Sequence, residues 1–401
     1  MDELYELPDG WEWRKLKDKE VCTLIMGQSP KSETYNTDGN GMAFFQGKTE
    51  FGKMYPTVAK YCTAPKKIAE IGDILLSVRA PVGPTNIANI KCAIGRGLGA
   101  IRPNIDNTLT NYLLYFFRNF EIDISQKGKG STFSAITKME LENTDIPLPP
   151  LQEQKRIVSK LDSLFEKIDK AIALHQKNMD EANVFMGSIL NDVFVELEEK
   201  YNKNYLSDYC QITSSKRVYK SDYVDAGIIF YRIKDIVLMS KNLPLKDSQY
   251  IKETTFNEFD EKFGSPKSGD ILLTAVGATL GYAYLVKDSD GRFYFKDGNL
   301  LWLKNIINLD RKYLTYIFKS PLFDKYLNKI SKGAAQPAIT IIKLKEFNIP
   351  IAPLNVQQKT VTYLDKISKE LETLKQTQKE KMESLVALKA SILDQAFRGE
   401  L

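Results

Sequence analysis

The sequence predicts an α+β fold: two globular domains in a pseudo-twofold tandem repeat, separated by two long helices. Three observations predict it. A segment opening Ile146-Pro147-Leu148-Pro149-Pro150-Leu151 and reaching Gln154 recurs as Ile349-Pro350-Ile351-Ala352-Pro353-Leu354 reaching Gln357. Register then holds at one constant offset, with Leu161-Asp162 falling on Leu364-Asp365, Met179 on Met382, and Ser188-Ile189-Leu190 on Ser391-Ile392-Leu393. Upstream, the strand-like run Asp73-Ile74-Leu75-Leu76-Ser77 after Gly72 is repeated as Gly269-Asp270-Ile271-Leu272-Leu273-Thr274. A long repeat of this kind implies two similar halves ending in the same element.

The boundaries follow in order: a first domain with its entry segment over 1–148, a central helix over 149–200, a second domain over 201–351 and a C-terminal helix over 352–401. The entry Leu7-Pro8-Asp9-Gly10-Trp11-Glu12-Trp13 leads into Leu16 and Asp18; the second domain is entered through Leu206-Ser207-Asp208. Joining Phe397-Arg398-Gly399-Glu400-Leu401 to Met1 would run helix into entry segment as Phe194 to Asp208 does internally, so the repeat is pseudo-circular. Within each domain, short strand-like runs with Gly and Pro punctuation precede one or two helices. Asn111–Arg118 and Lys312–Lys319 read as helices with an aromatic face, on which Tyr115, Phe117, Tyr316 and Phe318 are core residues rather than base-stacking platforms. Each domain then passes through a basic glycine loop, Lys127-Gly128-Lys129-Gly130-Ser131 and Lys332-Gly333-Ala334-Ala335-Gln336.

The repeated element reads as a long helix. Pro150 and Pro353 suit a first turn, where the missing N–H is not needed. Apolar residues at Leu161, Leu164, Ile168, Phe185 and Ile189 in one copy, and at Leu364, Ile367, Leu371, Leu374, Leu385, Leu388 and Ile392 in the other, follow an a/d heptad. Both copies turn polar midway, at His175 and Asn178 and at Gln378 and Lys381, as a register device would. A helix of about 45 residues is roughly 65–70 Å long. The pair reads as an intramolecular coiled coil acting as a ruler; two helices each docked on its own domain is the alternative.

Composition narrows the function classes. With 401 residues, 43% hydrophobic and 27% charged, the chain is long enough for two cores plus helices. A net charge of +5 and a pI near 8.7 permit nucleic-acid binding. Cys22, Cys62, Cys92 and Cys210 form no CxxC pair, which fits a reducing compartment and no zinc site. The acidic opening is not a signal peptide and no apolar run spans a bilayer, so a cytoplasmic protein with no membrane partner is expected. A single His175 excludes serine–histidine triads and multi-histidine metal sites. Gly47-Lys48-Thr49 imitates the tail of a phosphate-binding loop but has Met42 where a glycine is needed, and the second half offers Ile233-Lys234-Asp235 instead. Phe45-x-x-Lys48 and Tyr231-x-x-Lys234 fit a strand end bearing a cation better. Gly95-Arg96-Gly97-Leu98-Gly99 has the wrong spacing for a dinucleotide fingerprint. No catalytic constellation is visible, and no metal site.

Together these residues resemble the specificity subunit of type I restriction–modification systems. The resemblance rests on the Leu7-Pro8-x-Gly10-Trp11 entry, the duplicated Gly-Asp-Ile-Leu run, the duplicated Ile-Pro…Pro-Leu-x-x-Gln junction and the Phe397–Leu401 end, and it covers essentially the whole chain. Two departures are Asn355-Val356 in place of Gln152-Glu153, and Ala352 in place of the first proline of the pair. The resemblance implies two target-recognition domains held by an antiparallel coiled coil, each reading one half of a bipartite site in double-stranded DNA. It implies a chain that is not an enzyme and carries no cofactor. Two methyltransferase subunits would bring S-adenosylmethionine, and two motor-nuclease subunits would use ATP and Mg. A heptad inserted in both helices is then expected to lengthen the tolerated gap.

Base reading needs Arg, Lys, Gln, Asn, Ser or Thr on exposed loops, and phosphate contacts need cations and free backbone N–H groups. The candidate DNA-binding residues are Gln28, Ser29, Lys31, Gln46, Lys48, Arg79, Lys129 and Ser131 in the first domain. In the second they are Ser215, Lys216, Arg217, Arg232, Lys234, Lys332 and Gln336. The competing reading is a coiled-coil scaffold that reads no DNA; a third, a nucleotide-hydrolysing enzyme, rests on Gly47-Lys48-Thr49 alone.

Overall fold

The computed structural model describes residues 4–127, 135–296, 298–332 and 337–401. The chain divides into two compact units, Met1–Gln176 with Lys379–Leu401, and Lys177–Gln378.

In the first unit an antiparallel sheet is ordered Cys22–Met26, Leu98–Pro103, Ile74–Ser77, Thr85–Ile87. Alternate side chains of a strand point to opposite faces. Ile74 and Leu76 therefore enter the core shared with the helix Thr110–Lys127, while Leu75 enters a second core. Burial on both faces is why the Asp-Ile-Leu-Leu run shows no polar alternation. The second core is completed by a five-stranded sheet, ordered Tyr35–Asn36, Tyr61–Cys62, Met42–Phe45, Cys92–Ile94, Ile68–Ala69, in which Met42–Phe45 and Cys92–Ile94 are parallel. A ribbon of Glu12–Lys15 with Asp145–Leu148 ties the entry segment to the start of the long helix.

The second unit repeats this frame. Its central sheet is ordered Gln211–Thr213, Leu300–Lys304, Ile271–Thr274, Ala283–Leu285, with Ile271 and Leu273 facing one core and Leu272 the other. A ribbon of Lys203–Tyr205 with Asn348–Pro350 matches the first. The outer layer differs. Helices Ile233–Ser240 and Glu253–Phe263 accompany a four-stranded sheet, and Arg311–Phe318, Pro321–Ser331 and Ile341–Lys345 follow, so this unit holds more than the one or two helices expected.

The junction motif is explained by a buried amide. Gln154 is fully buried; its oxygen accepts the Leu109 N–H at 2.8 Å, and its nitrogen donates to the carbonyls of Asn107 (2.8 Å) and Pro149 (2.9 Å). Gln357, equally buried, accepts the Asp310 N–H at 2.7 Å and donates to the Ala352 carbonyl at 2.8 Å. Pro150 and Pro353 sit one residue ahead of the helices, where their carbonyls accept the first helical N–H groups. The Tyr112 and Tyr313 hydroxyls donate to the carbonyls of Pro147 and Pro350, and those of Tyr115 and Tyr316 to Asp162 and Asp365. With Phe117 and Phe318 also buried, the aromatic faces of both helices are core.

The long helices run Leu151–Lys200 and Leu354–Arg398. In the first unit Leu161, Phe165 and Ile168 share a core with Leu385, Ile392, Leu393, Ala396 and Phe397. Arg156, near the start of one helix, donates to the carbonyl of Leu401, beyond the end of the other, so the pair is antiparallel there. In the second unit Ile189, Leu190, Val193, Phe194 and Leu197 share a core with Val361 and Leu364 in the same sense. The two helices thus pack on each other as well as on the sheets, and the alternative of separately docked helices does not hold.

One half of the expected seam is displaced by a residue. Inward positions are Leu161, Phe165, Ile168, Ile172, His175, Met179, Ala182, Met186, Ile189 and Val193, spaced four then three; the other helix follows with Leu364, Ser368, Leu371, Lys375, Gln378, Met382, Leu385, Lys389, Ile392 and Ala396. Spacing of three then four had placed Phe185, Leu374 and Leu388 inside; they are 56%, 41% and 47% exposed, and Met186, Lys375 and Lys389 are inside instead. Leu164 and Ile367 are half-buried on the flank. At one of these positions the reason is visible: Lys389 brings its ammonium over the Phe165 ring, 5.0 Å from the centroid, and pairs it with Asp169, so the lysine and not Leu388 faces the other helix. Of the polar midpoint, His175 and Gln378 lie on the stripe, while Asn178 and Lys381 are exposed.

The chain ends meet within the first unit. The Tyr5 hydroxyl donates to the Phe397 carbonyl at 2.7 Å, Arg398 covers the Tyr5 ring, and a Cβ on Gly399 (φ +77°) would lie 2.2 Å from the Pro8 ring. Phe397 packs on Tyr112 as Phe194 packs on Tyr313, which is the pseudo-circular pattern. All four cysteines are free and buried, and burial pushes the Cys22, Cys92 and Cys210 thiols up to about 12. Among the described residues no helix is long and apolar enough to cross a membrane, and no His, Cys, Asp or Glu cluster could hold a metal.

Candidate nucleic-acid interface

In the first unit three strand ends converge. Met42–Phe45 runs into Gln46-Gly47, Ile74–Ser77 into Arg79, and Cys92–Ile94 into Gly95-Arg96-Gly97. They surround a groove of about 570 Å³ lined by Gln46, Lys48, Lys60, Arg79, Pro81 and Gly97, among others. Glycine is required at the turn, because a Cβ at Gly97 would lie 2.3 Å from the Gln46 carbonyl. Gln28 and Ser29 brace the same turn: the Gln28 N–H donates to the Ile94 carbonyl, and the Ser29 hydroxyl accepts the Arg96 N–H at 3.2 Å. The side chains of Gln28, Lys48, Lys60, Arg79 and Arg96 are exposed, and among the described residues none of these four cations has an ion-pair partner. Lys31 is 79% exposed, 3.6 Å from Glu33. Two acids are near: Glu50 lines the groove with its carboxylate held by the Gly47 N–H, and Glu121 lies beside Lys48, where burial pushes its carboxyl up against the pull of Lys48 and Arg118.

Arg96 and Lys60 escaped the sequence reading. Arg96 carried a signal, a lone cation between glycines, but was weighed only as part of a failed nucleotide motif. The Gly47-Lys48-Thr49 turn is no phosphate cradle: its Gly47 N–H already donates to the Glu50 carboxylate at 3.1 Å.

The second unit does not repeat this arrangement. Arg232 and Lys234 are not free cations. The Arg232 guanidinium donates to Asp235 at 2.9 Å and to the Asp247 carbonyl at 2.9 Å, and Lys234 donates to Asp247 at 2.8 Å. Strand Ile228–Tyr231 is followed directly by a helix, so the Tyr-x-x-Lys pattern marks a helix start and not a loop. The Ser215 hydroxyl is enclosed and makes no hydrogen bond, so it presents no surface contact to DNA. Lys216 and Arg217 are exposed and lie over the rings of Phe263 (4.6 Å) and Tyr219 (5.7 Å). Lys332 is exposed just past the helix Pro321–Ser331. Lys129, Ser131 and Gln336 lie outside the described residues.

Asp247 is exposed, and Lys234 and Arg232 hold its carboxyl below the usual carboxylate range. If this unit meets DNA, Asp247→Asn should bind it more tightly with a steeper salt dependence. Removing that charge frees Lys234 while Arg232 keeps Asp235, so the slope of log affinity against log salt should rise by about one. Fluorescence anisotropy across a salt series measures this; an unchanged slope would place Lys234 away from phosphate.

Comparison with known proteins agrees with this architecture. The family model for the type I restriction modification DNA specificity domain matches residues 8–183 and again 198–384. The MjaX specificity subunit of Methanocaldococcus jannaschii is 41% identical over 189 residues, 47% of this chain and 44% of that protein. The S.HindORF215P specificity subunit of Haemophilus influenzae is 28% identical over 250 residues, 59% of each chain. These two matches therefore span about half the length of those relatives. A chain from a solved type I restriction–modification assembly shares the fold, with a TM-score of 0.73 at 24% identity over 99% of this chain and 100% of that one. With two copies of the specificity domain covering most of its length, the chain belongs to the type I restriction–modification DNA specificity family.

Proposed function

We propose that the chain is the DNA-reading subunit of a type I restriction–modification complex, with domains 1–148 and 201–351 each reading one half of a bipartite site. The helices Leu151–Lys200 and Leu354–Arg398 set the gap between half-sites. The observation that carries this is the first-unit groove: unpaired cations and a glutamine on three converging strand ends of a duplicated frame. Lys48, Lys60 and Arg96 suit phosphates, which position a protein on DNA, and Gln46 and Arg79 suit base edges, which specify sequence.

In this reading the chain supplies recognition only and works in the cytoplasm. Chemistry falls to two methyltransferase subunits using S-adenosylmethionine, which extrude and methylate an adenine in each half-site. Cleavage falls to two motor-nuclease subunits using ATP and Mg. A genome-wide adenine-methylation map of a host expressing this chain with its methyltransferase partner tests the reading. A bipartite motif with a fixed gap, lost when this chain alone is deleted, is expected. No motif from a soluble complex would favour a scaffold.

A further inference from the structure

We propose that Arg79 reads a guanine in the half-site of the first domain, a contact the second domain lacks at its equivalent position, Val276. The proposal rests on the DNA reading above.

The two positions are equivalent because the backbone around them is built twice. In the first unit the Ser77 N–H donates to the Pro84 carbonyl, Gly83 N–H to Ser77, Val78 N–H to Gly97, and Ile136 N–H to Val78. In the second the Thr274 N–H donates to Tyr282, Gly281 N–H to Thr274, Ala275 N–H to Asn299, and Ile339 N–H to Ala275. Arg79 then bridges Ala135 as Val276 bridges Ala338. One frame thus presents an exposed arginine in one domain and a half-buried valine in the other. A position where the duplicated backbone is kept and the side chain changes from donor to apolar separates two half-sites of different sequence.

Arg79 is fitted to a base rather than a phosphate. The Ser77 hydroxyl shares its one proton between the Arg79 and Pro81 carbonyls, at 3.1 and 2.9 Å, which ties the loop back to the strand end. Nothing among the described residues neutralises its guanidinium. By contrast Arg102 is bidentate on Asp73, Arg156 on Glu153, and Arg232 is shared by Asp235 and Asp247. A planar fork on a fixed backbone matches O6 and N7 of guanine, whereas Lys48 and Lys60 on the same groove are point charges suited to phosphate.

The test uses the complex with its methyltransferase partner and duplexes in which each base pair of the wild-type motif is replaced in turn. Arg79→Val installs the second domain's residue, and Arg79→Lys keeps the charge but removes the fork. Both variants are expected to lose preference at one G·C pair of one half-site, by about tenfold or more, with every other base pair and the gap unchanged. Weakening spread evenly over all duplexes and restored by Arg79→Lys would identify a phosphate contact and overturn the proposal. Unchanged discrimination at every base pair in both variants would overturn it as well. If the wild-type complex shows no sequence preference, the DNA reading itself falls, before either variant is compared.

Discussion

Replacing Gln154 with leucine is expected to destabilise the first unit by about 3–6 kcal/mol. Leucine nearly fills the volume, so the loss is polar: the Leu109 N–H and the Asn107 and Pro149 carbonyls lose the partner that the fully buried Gln154 amide gives them. Each orphan costs roughly 1–2 kcal/mol here, the lower part of the usual range. Gln357→Leu strands only the Asp310 N–H and the Ala352 carbonyl and should cost about 2–4 kcal/mol, in the second unit. Urea unfolding followed by probes in each unit separates the two, since a chain with two cores need not unfold in one step. A loss below about 1 kcal/mol at Gln154 would show that water takes the amide's place.

The second large effect concerns the helices. Seven residues added to each, between Gln176 and Lys177 and between Gln378 and Lys379, preserve the four-then-three seam. They add about 10.5 Å of helix, which is about three base pairs at 3.4 Å each. The methylated motif should keep both half-sites while its gap grows by about three. The same insertion in one helix alone slides Lys389, Ile392 and Ala396 off their partners, and the motif should disappear. A gap that stays the same in the double insertion would show that the helices do not set it.

What was legible in the chain was whatever depends on short-range pattern. The repeat, the sheet strands and the seam's seven-residue period follow from apolar spacing, which burial imposes directly. The phase of the seam was harder. Leu374, Leu388 and Phe185 are more apolar than Lys375, Lys389 and Met186, and a count of apolar residues favours the wrong member of each adjacent pair. What decides at Lys389 is a pair of partners on the other helix, the Phe165 ring and Asp169, which no local pattern announces. The grouping of the candidate residues was legible to the extent that they lie on turns: Gln46, Lys48 and Arg79 do line one groove. Arg232 and Lys234 looked the same in sequence, but Arg232 is held by Asp235 at the start of its own helix and Lys234 by Asp247, an acid more than a dozen residues away brought in only by the fold. Lys60 joins the groove from a separate strand approach and carried no local signal.

The discontinuity of the first unit sets an order of assembly. Its last elements, Lys379–Leu401, are made only after the whole of Lys177–Gln378 has emerged. At about 5–20 residues per second, that interval is roughly 10–40 s on the ribosome. The unit begun first is therefore completed last. Until then Leu161, Phe165 and Tyr112 have no Ile392, Ala396 or Phe397 to cover them. A chain cut short before Lys379 would therefore carry its damage in the first unit, with Lys177–Gln378 lacking none of its residues.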